Sequence, residues 1–264
     1  SGPTPNLSPT PRQPLVPFEL AAARGLLPLA ATGVPLFLAE HPSWDGRGVL
    51  IGILDSGIDP GTPGLRVTSE GRPKLVDLRD FSGEGRIELN SVDPIGDSVR
   101  VAGRTLRGFG RVRGLATVGP WYGGIVEERA LGEPAAADLN DNGTDADSLV
   151  VILAKASDGW VLFADSDGDG WLGNERPIHD YLVARETFGW HRAGEPPPTT
   201  LAVNLSESAG KPVLDLFFDK SAHGTHVAGI AAGQQIGAVD GFNGVAPGAQ
   251  LLGLKIANNA HGGV

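Results

Sequence analysis

Two short segments carry side chains that could work together as an acid–base pair. Asp55 follows a run of apolar residues and opens the segment Asp-Ser-Gly. His223, much later in the chain, opens the segment His-Gly-Thr-His-Val-Ala-Gly. A carboxylate that fixes the tautomer of an imidazole makes it a general base, and such a base can take the proton of a serine hydroxyl. These residue types therefore indicate hydrolysis by a nucleophilic serine, provided that the fold brings Asp55 and His223 together.

The elements predicted around both residues would place them at one edge of a sheet. Residues 48–54 are continuously apolar, which is typical of a strand covered on both faces in a parallel sheet. Residues 223–233 are rich in alanine and glycine and predict a thin helix, and residues 250–256 predict another buried strand. Functional side chains in open α/β sheets lie at the carboxyl ends of strands. We therefore expect Asp55 and His223 to meet at that edge.

Both segments resemble the signature pair of the subtilase family of serine peptidases. Asp55 opens Asp-Ser-Gly-Ile-Asp, His223 opens the downstream segment, and the similarity continues through residues 243–256. In subtilisin the triad residues follow the order Asp, His, Ser along the chain. The resemblance implies an α/β, subtilisin-like doubly wound sheet that is mostly parallel. It also implies that Asp55 is the orienting carboxylate and that His223 is the general base.

Further residues are similar to the tripeptidyl-peptidase II branch of this family, which also has a long insertion between Asp and His. They are His41-Pro42, residues 45–49 and residues 59–64. We expect a proline-rich arm at 1–17, the N-terminal part of the catalytic domain at 18–60 and 219–264, and a β-rich insertion at 61–218. The strands predicted in the insertion are 75–81, 149–155, 160–164 and 213–218.

The family pattern is incomplete in this sequence. The nucleophile segment, Gly-Thr-Ser followed by proline, is missing, and so is the later asparagine that stabilises the oxyanion. Loss of the nucleophile lowers kcat by about 10⁶-fold in subtilisin. We therefore expect this chain alone to be inactive and to need a C-terminal catalytic segment as its partner.

The ends of the chain favour a fragment of a longer enzyme. The sequence has no methionine, so we expect it to begin after a processing event or a truncation. Ending just past a core strand would leave a bare parallel-sheet edge, which is a poor natural terminus. The alternative is a natural protein that has lost its catalytic half.

Two acidic loops in the insertion have oxygen ligands at alternate positions followed by glycine, as in loops that bind Ca²⁺. The candidate ligands are Asp165, Asp167, Asp169 and Glu175 in one loop, and Asp138, Asn140 and Asn142 in the other. Residues 149–155 and 160–164 predict a hairpin that turns at 157–159 and would bring both loops to one end. We expect one or two structural Ca²⁺ sites. Ordinary Asp/Asn/Gly turns are the alternative, and it is favoured for the loop that begins at Asp138.

Composition excludes several other classes of function. The chain has no cysteine, which excludes disulfides, zinc thiolates and thiol nucleophiles. A formal net charge of −10 argues against a nucleic-acid partner, because phosphate binding needs clustered lysine and arginine. No apolar run approaches the roughly 20 residues of a membrane-spanning helix.

The expected substrate is a peptide or a protein, and the chemistry itself requires no cofactor. The alternative function is non-catalytic: a degenerate peptidase or a calcium-stabilised binding module. The acidic, cysteine-free chain with its proline-rich leader favours a secreted or extracytoplasmic location over a cytoplasmic one.

Overall fold

The computed structural model describes Gly25 and residues 27–115, 119–128, 138–140, 142–191 and 199–258. The arm predicted at 1–17 lies outside these residues. The helices are α1 (Leu29–Thr32), α2 (Val34–Glu40), α3 (Gly110–Leu115), α4 (Tyr181–Ala184) and α5 (His223–Ala232), with a 3₁₀ turn at Ile236–Ala238. The strands are β1 (Leu50–Asp55), β2 (Leu75–Asp80), β3 (Arg86–Ile87), β4 (Asn90–Val92), β5 (Ser98–Val101), β6 (Arg104–Arg107), β7 (Trp121–Glu127), β8 (Ser148–Ala156), β9 (Gly159–Ala164), β10 (Phe188–Gly189), β11 (Thr200–Ser208), β12 (Lys211–Phe217) and β13 (Gln250–Lys255).

A three-stranded parallel sheet carries Asp55. Its order is β1-β13-β2, and both pairings are parallel, as the sequence predicts for β1 and β13. Asp55 is the last residue of β1 and lies in register with Lys255 on β13. Helix α5 packs on this sheet through small residues such as Ala228 and Ala232, which are fully buried with Leu251 in a shared core. Small side chains let the helix approach the sheet closely, and this approach positions its first residue near Asp55.

The burial of the β1 side chains differs from the prediction. Both faces of the strand were expected to be buried, yet Leu50 and Leu54 are 51% and 60% exposed, as is Val49 beside them at 51%. The described part of the chain leaves more than half of each of these side chains exposed. The apolar run was identified correctly as a strand, but a second layer over this face is not supplied by the described residues.

Strand β2 also differs from the prediction, because it lies within the segment 61–218 that the sequence analysis assigns to the insertion. The structure pairs β2 with β13 in parallel, so it is a strand of the sheet that carries Asp55. A short strand-like run gave no information about which sheet it joins, since that depends on a partner far away in sequence. The antiparallel strands therefore begin after Asp80, at β3.

The rest of the insertion forms antiparallel sheets ordered β4-β7-β8-β9 and β10-β11-β12-β3, plus the hairpin β5-β6. The predicted hairpin of β8 and β9 is present, with its turn at residues 157–158. Residues on β8 alternate between two cores: Leu149, Val151 and Leu153 face one, and Val150 and Ile152 face the other. Burial on both faces explains why this stretch is continuously apolar.

Candidate active site

Asp55 is held at the carboxyl end of β1 with most of its side chain shielded. The side chain is 17% exposed, and its Oδ1 accepts a hydrogen bond from the Ser56 N–H at 2.7 Å. This bond fixes the carboxylate rotamer against the strand end. The carboxylate therefore presents a defined oxygen to the neighbouring helix.

His223 is the first residue of α5, and its Nδ1 lies 2.7 Å from Oδ1 of Asp55. The imidazole is 70% exposed. With Nδ1 donating its proton to Asp55, Nε2 is the nitrogen left to accept a proton. The structure thus brings together the two side chains that the sequence analysis expects to meet.

The pair shifts the pKa of both groups. Burial raises the pKa of Asp55, but hydrogen bonds from His223 and the Ser56 N–H outweigh burial and hold that pKa below its usual value. The hydrogen bond to Asp55 raises the pKa of His223, and the charges of Asp55 and Asp219 act in the same direction. Opposite charges in contact favour the charged form of each group. The geometry therefore strengthens His223 as a base.

A buried carboxylate, Asp219, ties the start of α5 to the end of β1. Its Oδ1 accepts from Ser56 Oγ at 2.9 Å and from the Ala222 N–H at 3.1 Å, and its Oδ2 accepts from the Thr225 N–H at 2.9 Å. Ala222 has φ of +59°, a conformation that is unfavourable for a non-glycine residue. Asp219 satisfies helix N–H groups and holds this turn, so it positions His223 without touching its ring.

Lys255 lies on β13 in register with Asp55 and is fully buried. Its Nζ donates to the Ser56 carbonyl oxygen at 2.5 Å and pairs with Glu84 Oε2 at 2.9 Å. It also lies 4.9 Å from the centre of the Phe218 ring. The peptide that follows Asp55 is therefore anchored from the sheet side as well.

The sequence analysis missed the roles of Asp219, Lys255 and Glu84. Asp219 had a local signal, because an acidic residue just before a helix favours its N-terminus. Lys255 had another, since it is a lone charge in a buried strand and such charges are normally paired. Neither signal identifies the partner, because Ser56 and Glu84 are distant in sequence.

In the acidic loop that follows β9, three of the four candidate ligands lie close together. The carboxylates of Asp165, Asp167 and Asp169 lie within 4.8 Å of one another. Glu175 is not in this group, and its Oε1 accepts the Ser166 N–H at 2.7 Å. Burial raises the pKa of Asp165, and the charges of Asp169 and Asp167 raise it further.

The other loop lies against Glu128. The N–H groups of Leu139 and Asn140 donate to Glu128 Oε1 at 2.8 and 3.2 Å. The Asp165 N–H donates to the Val150 carbonyl oxygen. The two loops therefore leave the β8–β9 hairpin at the same end.

Comparison with known proteins identifies the family. The subtilase family profile matches residues 46–264. The chain is 29% identical to tripeptidyl-peptidase 2 of Oryza sativa subsp. japonica over 319 residues, which cover 92% of this chain and 22% of that protein. It is 25% identical to pyrolysin of Pyrococcus furiosus over 279 residues, 83% of this chain and 19% of that protein.

A crystal structure of tripeptidyl peptidase 2 matches with a TM-score of 0.60 at 22% identity, over 88% of this chain and 22% of that chain. This match confirms the subtilisin-like fold, and these relatives confirm the resemblance to the tripeptidyl-peptidase II branch. The chain spans about a fifth of the length of the curated relatives it matches. Among the residues that the structure describes, no helix has the length and apolarity to cross a membrane. Because the family profile matches most of the sequence, the chain belongs to the subtilase family.

Proposed function

We propose that this chain supplies the aspartate and the histidine of an Asp-His-Ser triad in a serine peptidase that hydrolyses peptides or proteins. Asp55 is the orienting carboxylate and His223 the general base, and the nucleophilic serine comes from a C-terminal segment beyond this chain. The observation that carries the proposal is the 2.7 Å contact between His223 Nδ1 and Asp55 Oδ1.

The proton movements follow from this contact. Asp55 keeps the proton on Nδ1, so Nε2 of His223 can take the proton of the serine hydroxyl as the serine oxygen attacks the peptide carbonyl. The imidazolium that forms is stabilised by the Asp55 carboxylate and then gives its proton to the leaving amine. Water then attacks the acyl-enzyme while Nε2 of His223 takes a proton from it. The imidazolium returns that proton to the serine oxygen as the ester bond breaks, which releases the acid product and restores the serine.

The open side of β1 supports the addition of a further segment. Strand β1 pairs with β13 on one side, and the described residues provide no strand on the other. Leu50 and Leu54 remain exposed on the same strand, and the His223 ring is accessible. A C-terminal segment that extends the sheet past β1 and adds a layer over its exposed face would cover these side chains and bring a serine to the edge where His223 lies.

The test is labelling by a fluorophosphonate, which reacts with an activated serine. A protein that joins this chain to its C-terminal segment should be labelled. The variants Asp55→Asn and His223→Ala should lose labelling, while His191→Ala, a histidine in the insertion, should retain it. Absence of labelling in the parent protein would exclude the triad and favour the non-catalytic alternative.

We also propose a structural Ca²⁺ ion at Asp165, Asp167 and Asp169. Three carboxylates within 4.8 Å repel one another, and a cation bound by oxygen ligands would offset that repulsion. The ion would stabilise the loop that follows β9 and take no part in the chemistry. Calorimetric titration of the chain with CaCl₂ tests this, and Asp167→Asn should abolish the uptake assigned to this loop.

A further inference from the structure

A cleft of about 460 Å³ lies between the segment that follows β1 and helix α4. Its walls come from residues 60–75, from α4 and the residues after it, and from Thr200 at the start of β11. Among the described residues that line it, none is acidic and two are arginines, Arg66 and Arg185. The chain as a whole has a formal net charge of −10, so this local excess of positive charge is unusual and favours an anion.

Both arginines are available to a ligand. Arg66 Nη2 donates to the Gly61 carbonyl oxygen at 3.2 Å, which holds this guanidinium at the cleft. Arg185 ends α4 with φ of +54°, and its N–H donates to the Tyr181 carbonyl oxygen at 2.8 Å. Within the described part of the chain, neither arginine forms an ion pair with a carboxylate. A planar guanidinium carries five N–H donors and binds a carboxylate through two of them, so each arginine has donors left for an anion.

Tyr181 adds a hydroxyl group to the same cleft. Its side chain is part of a core and is only 5% exposed, and its hydroxyl has no hydrogen-bond partner among the described residues. Burial raises the pKa of Tyr181 to about 12, while the charge of Arg185 lowers it and the charge of Asp77 raises it. The hydroxyl therefore keeps its proton. A buried hydroxyl without a partner is costly, and an oxygen atom of a bound anion would accept its hydrogen bond.

The carboxylates near the cleft are bonded to other groups. Asp59 Oδ1 accepts the Gly61 N–H at 2.7 Å, and the Asp59 carboxylate also accepts a hydrogen bond from the Thr200 side chain. Asp77 Oδ2 accepts from Arg79 Nε at 2.8 Å. These contacts account for the acidic groups next to the lining residues without using either cleft arginine.

The remaining wall of the cleft is apolar, which restricts the kind of anion. Leu65 and Leu75 are buried with 2% and 3% exposure, and Val67 is 46% exposed. A ligand that fills the cleft therefore needs an apolar group as well as a charge. The Gly61 N–H already donates to Asp59, so the charged part is met by guanidinium groups and a hydroxyl, a donor set that suits a planar carboxylate.

We propose that this cleft binds a small organic carboxylate. The carboxylate is held by Arg66, Arg185 and the Tyr181 hydroxyl, and an apolar group of the ligand packs against Leu65 and Val67. The volume lies within the range of small-molecule sites, which is about 300–1,000 Å³. The proposal does not depend on the peptidase activity, because no residue of the proposed triad lines the cleft.

The test is an NMR titration of the ¹⁵N-labelled 264-residue chain with N-acetyl-L-leucine, which joins a carboxylate to an apolar side chain. A dissociation constant on the order of 1 mM is expected for a ligand of this size, with the largest shifts at the N–H signals of Gly61 and Gly71. N-acetyl-L-leucinamide has the same shape without the charge and should bind at least about tenfold more weakly. Inorganic phosphate lacks the apolar group and should displace the acid only at about tenfold higher concentration.

Substitutions in the cleft identify the groups that bind the carboxylate. Arg66→Gln and Arg185→Gln should each weaken binding by about tenfold, because each removes a charged donor. Tyr181→Phe keeps the ring and removes the hydroxyl, and it should weaken binding by about fivefold. Arg72→Gln is the matched control: Arg72 is an exposed arginine in the same segment that does not line the cleft. This variant should change the affinity by less than about twofold.

Four outcomes would overturn the proposal: equal affinity for the acid and its amide, parent-like affinity in both arginine variants, phosphate binding as tightly as N-acetyl-L-leucine, or no shifts at about 50 mM N-acetyl-L-leucine. Tyr181 is part of a core, so the dispersion of the amide signals must show that Tyr181→Phe is folded. If it is not, the two arginine variants decide, because both arginines are exposed and their replacement leaves the core intact.

Discussion

Gly224 lies so close to Gly57 that a Cβ added to Gly224 would stand 2.0 Å from the Gly57 carbonyl oxygen. The same Cβ would be 3.1 Å from the Asp55 Cβ. The Gly224 N–H also donates to Ser56 Oγ at 3.0 Å. The approach of α5 to the end of β1, and with it the contact between His223 and Asp55, therefore depends on the absence of a side chain at position 224.

Gly224→Ala should separate the helix from the strand end and break the bond between His223 and Asp55. The added Cβ meets backbone, which cannot move as a flexible side chain could, so a loss of roughly 2–4 kcal/mol in unfolding free energy is expected. Gly229→Ala on the same helix is the matched control, because nothing lies within 4 Å of its added Cβ. That variant should gain about 0.5–1 kcal/mol from helix propensity. Urea denaturation measures both, and equal effects would contradict the proposed close approach.

Asp55→Asn should lower the pKa of His223 in the chain as it stands. The hydrogen bond to Asp55 is the main cause of the raised pKa of His223, and its charge adds to the effect. NMR titration of the imidazole Cε1–H signals would show one histidine moving to lower pKa. Asp240→Asn, at an exposed site, should leave that signal unchanged. An unaltered His223 pKa in Asp55→Asn would mean that the two groups do not interact in solution.

The same pair should make stability depend on pH in two directions. Since the folded-state pKa of His223 is raised, its contribution is present below the unfolded pKa and is lost as pH rises through the folded one. Since the folded-state pKa of Asp55 is lowered, its contribution is present above the unfolded pKa and is lost as pH falls through the folded one. The difference in unfolding free energy between the parent chain and His223→Gln should thus be largest at pH values above the unfolded pKa of Asp55 and below the unfolded pKa of His223. A difference independent of pH would contradict the linkage.

The sequence was sufficient for the parts of this site that depend on local pattern. A continuous apolar run ending in Asp55, and an alanine-rich segment beginning with His223, gave the strand, the helix and their shared edge. Strand β2 was assigned to the insertion because a short apolar run carries no information about its sheet. The exposed face of β1 was expected to be buried. An apolar run predicts that a strand is covered on both faces, but it does not identify the segment that covers it.

Residues that position the site were harder to predict, because their partners are distant in sequence. Asp219 binds Ser56, and Lys255 binds Glu84; no spacing rule connects either pair. Long-range polar contacts of this kind follow from the folded topology, so a single sequence shows only that such groups need partners.

Asp219→Ala should destabilise the chain markedly. It leaves Ser56 Oγ and the Thr225 N–H without their acceptor, and Asp219 itself is buried. Losing a charged acceptor of several bonds predicts a cost of about 2–4 kcal/mol. Ser221→Ala removes a hydroxyl that donates to Asp219 Oδ1 and accepts the His223 N–H, both at 3.2 Å, and should cost only about 0.5–1 kcal/mol. Similar costs for both variants, measured by urea denaturation, would show that Asp219 is not the residue that holds the turn.

Lys255 and Glu84 should behave as a coupled pair. Both side chains are almost completely shielded, at 0% and 2% exposure, so Lys255→Met would leave a buried carboxylate without its cation. Breaking a buried pair in this way costs about 3–5 kcal/mol, whereas replacing both partners by apolar residues is often close to neutral. The double variant Lys255→Met with Glu84→Leu should therefore be more stable than Lys255→Met alone. Additive losses in a double-mutant cycle would mean that the two charges do not stabilise each other, and that Lys255 acts mainly through its bond to the Ser56 carbonyl oxygen.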